Sequence, residues 1–148
     1  MPRFVVLINT NQDAENGKTP DPEFLKELSA YHSRVAKSGH LLWSDGLHPS
    51  GHDGVRMTWD GKAWSDSKGP FPNPETLLGG YSILRCKDLA EVQQLIKDGP
   101  ALANEKGTVE IRRLADIEDF PAEILTEEMK AHALEMKKTM WANATSGQ

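Results

Sequence analysis

Apolar positions along the chain change their period several times, and each change marks an element. Phe4 to Ile8 is a short apolar run, as expected of a buried first strand. Asn9 to Pro22 is polar, with Asn, Asp, Gly and proline, which predicts a loop. Asp21 then caps a helix whose first position is Pro22, where a missing N–H costs nothing. Phe24, Leu28, Tyr31 and Val35 form its apolar stripe, and Gly39 suits its end. Leu41 to Leu47 reads as a second strand, with Leu41, Trp43 and Asp45 on one face and Leu42 and Ser44 on the other. His48 to Gly54 is dense in turn formers. Val55, Met57 and Trp59 alternate with Arg56 and Thr58, a half-buried strand pattern. Asp60-Gly61 predicts a type I′ hairpin turn, with Ala63 to Ser65 returning. Residues 66–78 predict a proline-rich loop, and Gly80 to Arg85 the next strand. Asp88 and Glu91 form a capping box opening a helix with Leu89, Val92 and Ile96 inward; Gly99-Pro100 ends it. Val109 and Ile111 alternate with Glu110 and Arg112 in a last strand.

Without its inner hairpin, this order is βαββαβ, the pattern of an α+β, ferredoxin-like antiparallel sheet with helices on one face. Such a sheet leaves its other face bare, and a second copy of the chain covers it most simply, so a homodimer is expected. Residues 1–114 form this domain, and residues 115–148 a C-terminal extension. Thr126 caps a helix there, with Glu127 and Glu128 at its positive end. Leu125, Met129, His132, Met136 and Met140 repeat at helical spacing, and Asn143 to Gln148 are expected to fray.

Composition narrows the picture. At 148 residues the chain is long enough for a core without disulfides or metal. A net charge of −5 argues against nucleic-acid binding, which needs a clustered basic surface. No apolar run reaches the ~18 residues of a membrane span, and the run after Arg3 is too short for a signal peptide. The single cysteine, Cys86, has no internal partner, so a cytoplasmic location and a buried thiol are the expectation.

Several motifs then fall in a telling order. They are Gly46-Leu47-His48-Pro49-Ser50, the Asp60-Gly61 hairpin, Gly69-Pro70-Phe71, Glu75, Gly79-Gly80-Tyr81 and the Glu110-Ile111-Arg112 strand. Over residues 3–114 this resembles the YCII-related, or DGPF-domain, family. The resemblance implies a dimeric α+β barrel-type fold and a small-molecule site of mostly unassigned chemistry. Lys68 stands where the family's Asp-Gly-Pro-Phe signature has its carboxylate, and Asp66 lies two residues earlier. One branch of the family pairs a histidine early in its first helix with an aspartate ending its second. Here Leu28 takes the first place, with His32 a turn later, while Asp98 matches the second.

Candidate chemistry sits at strand ends and loops. Trp43, Asp45 and His48 can line a pocket, Asp45 orienting His48 as a general base; alternatively Asp45 merely opens a turn. Lys68, Arg56 or Arg85 can hold an anion in this acidic chain, or be solvated. Phe71 and Tyr81 can face a ligand or fill the core. His40, Asp45, His48 and His52 lack the context of a metal set, so no metal and no cofactor is expected. Two main readings follow. One is a YCII-related small-molecule-binding protein with no assigned turnover. The other is an acid–base enzyme on a small anionic or carbonyl metabolite, with His48 or Asp98 carrying the proton. A third is a protein-interaction module that docks through the C-terminal helix.

Overall fold

A computed structural model describes residues 1–100 and 106–146. The chain divides into two compact units, Met1–Leu114 and Ala115–Gln148. The first holds strands β1 (Arg3–Asn9), β2 (Leu41–Gly46), β3 (Val55–Trp59), β4 (Trp64–Lys68), β5 (Leu78–Arg85) and β6 (Val109–Arg113). Its helices are α1 (Gln12–Glu15), α2 (Pro22–Lys37) and α3 (Leu89–Lys97). The second unit holds α4 (Glu127–Thr145). Gly147 and Gln148, the end of the stretch expected to fray, lie outside the described residues, whereas Asn143 to Thr145 are helical.

The main sheet is four-stranded and antiparallel, in the order β2-β5-β1-β6, which is the ferredoxin-like arrangement. Alternation on the central strand decides which side is buried. Phe4 and Val6 are buried on one face, opposite Leu84 and Ser82 of β5. Val35 of α2 and Val92 of α3 complete that core, with Tyr31, Leu95 and Ile96 packed against it. Val5, Leu7, Trp43, Tyr81 and Ile83 share the opposite face and are only half-buried.

The helix caps form where the pattern places them, and one is displaced by a residue. Asp21 accepts the Glu23 amide at 2.9 Å, and Asp88 accepts the Glu91 amide at 2.9 Å. Glu91 reaches back to the Lys87 amide at 2.7 Å, not to that of Asp88. Leu89 is exposed, not inward, because it opens the helix and Leu95 takes the third core position beside Val92 and Ile96. Part of the polar 9–22 stretch is helical: Asn11 caps the single turn of α1, accepting the Ala14 amide at 2.8 Å.

Two strand expectations change. The register slips between Leu41 and Trp43, so Leu41 lies opposite core-facing Leu84 while Trp43 lies opposite Ile83. A bulge thus moves Leu41 to the helix side, away from Trp43 and Asp45. The β3–β4 hairpin does not turn through Asp60-Gly61 alone. Trp59 pairs with Trp64, leaving a four-residue loop in which Gly61 has φ +96° and Asp60 accepts the Lys62 and Ala63 amides at 2.8 Å. That loop lets the return strand run on to Lys68, so Asp66 and Lys68 belong to β4 and not to a loop. The hairpin was expected to be half-buried, yet every residue in its two strands is exposed.

The long connections around the hairpin are knotted onto Ser50. Its backbone N–H donates to Glu15 Oε2 at 2.9 Å, and its hydroxyl donates to the same carboxylate. The hydroxyl oxygen also accepts the Phe71 amide at 2.9 Å. Its carbonyl is pressed between two glycines, where an added Cβ would approach the oxygen to 2.1 Å at Gly54 and 1.9 Å at Gly69. The Gly69 amide donates to the Gly54 carbonyl at 2.9 Å, so both ends of the hairpin meet at this residue.

Gly69→Ala is therefore expected to lower unfolding stability by about 1–3 kcal/mol in denaturant melts, the range for forced overpacking. Gly46→Ala, where a Cβ meets nothing within 4 Å, is the control and should change little. Cys86 is buried, and burial, with Glu91 and Asp88 nearby, pushes its thiol up to about 11. At pH 8 on the order of a thousandth of it is thiolate, so a thiol reagent should titrate no group in the native chain and one per chain in denaturant.

Candidate functional site

An open groove of about 490 Å³ lies against this knot, lined by residues that include Glu15, His48, His52, Arg56, Phe71 and Leu77. Each arrives by a different local rule. The turn-rich segment after β2 brings His48 and His52, whose rings stack at 4.6 Å. Alternation in β3 turns Arg56 away from Val55, Met57 and Trp59. The Ser50 hydroxyl fixes the Phe71 backbone, and the Arg56 guanidinium lies 4.2 Å from the centre of the Phe71 ring. Gly69-Pro70 is a cis peptide bond.

The groove holds groups of both signs. Glu15 is its one carboxylate, and Ser50 occupies it with both an amide and a hydroxyl. Arg56 forms no ion pair among the described residues. The groove thus presents a guanidinium with no ion pair, one carboxylate bonded to neutral donors, two imidazoles and the apolar side chains of Leu47, Leu77 and Leu78.

The residues singled out from the sequence fall into four places. His48, Arg56 and Phe71 come together in the groove. Trp43, Asp45 and Tyr81 lie on the main-sheet face opposite the helices. There the Asp45 carboxylate accepts hydrogen bonds from the Trp43 indole and, at 3.1 Å, from the Tyr81 hydroxyl. Asp45 therefore holds two aromatic side chains and does not orient His48, which stacks on His52 instead. The bond to Asp45, followed by desolvation, raises the Tyr81 hydroxyl above the ordinary phenol range, which keeps it a donor.

Lys68 lies on the hairpin face opposite to Arg56 and does not line the groove. Asp66 pairs in register with Met57, so the strand holds it away from the place of the missing signature carboxylate. Asp98 caps the end of α3, accepting from Gln94 at 2.7 Å, while its carbonyl accepts from Arg34 at 3.3 Å. It belongs to the helix layer with Tyr31, whose hydroxyl donates to the Leu95 carbonyl at 2.8 Å. His32 is half-buried, and desolvation lowers its pKa. Among the described residues no group of three or more His, Cys, Asp or Glu side chains is placed to hold a metal ion. No helix there is long and apolar enough to cross a membrane.

Glu15 and Ser50 escaped the sequence reading as a pair. They stand 35 residues apart, and only the turn formers around Ser50 hinted at a fixed conformation.

Comparison with known proteins agrees with the sequence motifs. No curated protein matches the chain. Among solved structures, a 5-chloro-2-hydroxyhydroquinone dehydrochlorinase from Burkholderia phenoliruptrix, in complex with 2,5-dihydroxybenzoquinone, is similar to it at 11% identity and a TM-score of 0.41. That alignment covers 73% of this chain and 90% of the other. The YCII-related domain matches residues 2–118, most of the sequence and all of the sheet unit but Met1. The chain belongs to the YCII-related domain family.

Proposed function

We propose that this chain is a small-molecule-binding protein that works as a homodimer and takes a small anion with an apolar body in the groove beside Ser50. The uncommitted Arg56 guanidinium over the Phe71 ring carries this reading. A carboxylate ligand would meet a guanidinium with no ion pair among the described residues, while Ser50 holds the Glu15 carboxylate in a fixed position. The leucines below suit a ring or short alkyl body. The half-buried apolar face of the main sheet supports the homodimer, since a contiguous patch of this kind is the usual mark of an interface.

The stacked His48–His52 pair at the same groove favours a second reading, acid–base turnover of the bound anion with His48 carrying the proton. This reading gives no role to Asp98, whose carboxylate accepts from Gln94 at the end of α3.

Calorimetric titration with small carboxylates and phenolic acids tests both. Arg56→Gln should weaken binding by about 10- to 100-fold, the loss of one charge-assisted contact. His48→Ala should abolish any turnover, and Asp98→Ala should leave binding unchanged. Equal affinity of wild type and Arg56→Gln would contradict the proposal.

A further inference from the structure

Two side chains of opposite charge stand in the groove, and neither is matched by another charge. Arg56 forms no ion pair among the described residues, and neither does Glu15. The Glu15 carboxylate is bonded to the amide and hydroxyl of Ser50, both neutral donors. Those bonds are unevenly shared. Oε2 takes the hydroxyl and the shorter branch of the amide bond, at 2.9 Å. Oε1 takes only the longer branch, at 3.2 Å. A carboxylate oxygen carries two lone pairs, so Oε1 has room for a further donor.

A plain anion fits such a groove badly. It is attracted at the guanidinium and repelled at the carboxylate, and the two effects partly cancel. A ligand with a carboxylate at one end and a hydrogen-bond donor at the other is attracted at both. One residue sets the spacing of those ends. The Ser50 hydroxyl bonds Glu15 on one side and accepts the Phe71 amide at 2.9 Å on the other. The Phe71 ring in turn carries Arg56, 4.2 Å from its centre. Phe71, from amide to ring, thus bridges the two charged groups, and a body about one aromatic ring long spans the same gap. Leu77 and Leu78 line the groove as apolar contacts for that body.

We propose that the groove selects a dipolar ligand: a carboxylate that meets Arg56, an apolar body about one ring long, and a hydroxyl or ammonium group that donates to Glu15 Oε1. The proposal rests on the anion-binding reading of this groove. It goes beyond that reading by making Glu15 the residue that discriminates among carboxylates, with Ser50 holding it in place.

Calorimetric titration with three benzoates of nearly one shape tests it. They carry an ethyl, a hydroxymethyl or an aminomethyl group para to the carboxylate. Wild type should bind the aminomethyl compound roughly tenfold more tightly than the ethyl compound, with the hydroxymethyl compound between them. Glu15→Gln keeps the shape and one acceptor oxygen but removes the charge. In that variant, with circular dichroism as the check on folding, the preference for aminomethyl over ethyl should fall to about twofold or less. Should Glu15→Gln not fold, the wild-type ranking alone decides. A wild type that binds none of the three would overturn the anion-binding reading and this proposal together. Ethyl and aminomethyl compounds of equal affinity, or a preference that survives in Glu15→Gln, would overturn this proposal alone.

Discussion

One serine holds the groove and the base of the hairpin in shape. The Ser50 amide and hydroxyl bind Glu15, its hydroxyl oxygen receives Phe71, and its carbonyl fills the space that Gly54 and Gly69 leave open. Those bonds span sequence separations of 35 and 21 residues and join the segments before and after the hairpin. Polar groups gathered in this way stabilise only when every member is satisfied.

The rest of the design follows from a sheet with helices on one side only. Period-2 alternation sends Phe4 and Val6 under α2 and α3 and leaves Val5 and Leu7 on the other face. The same alternation in the hairpin sends Arg56 one way and the tryptophans the other. The guanidinium that lines the groove and the exposed tryptophans thus lie on opposite faces of one hairpin. Arg56 is held by its aromatic neighbour and by the ribbon it projects from, so whatever steadies the ribbon also steadies the guanidinium.

Much of the fold was legible because local rules and burial agreed. The α2 stripe of Phe24, Leu28, Tyr31 and Val35, the caps at Asp21, Asp88 and Thr126, and the six strands follow from periodicity and capping chemistry. The failures come from hydrogen bonds that periodicity does not register, one across strands and one within a turn. A bulge moved Leu41 to the core face. The side chain of Asp60 bound two amides and stretched the turn. The site was less legible than the fold. Residue types pointed to His48, Arg56 and Phe71, which the groove brings together, but sequence proximity wrongly tied Asp45 to His48. Adjacent positions near a strand end face different surfaces, and Trp43 and Tyr81 claimed the carboxylate. The Glu15–Ser50 bond had no linear signature at all.

The central claim, that Ser50 ties the Gly-Pro-Phe loop to the rest of the unit, is read most directly by amide hydrogen exchange at Phe71 in the wild type and in Ser50→Ala. The account predicts a protected Phe71 amide that exchanges much faster once the hydroxyl is gone, while Leu84 in the sheet core stays protected in both. A Phe71 amide that exchanges equally fast in both proteins, or stays equally protected in both, would contradict it.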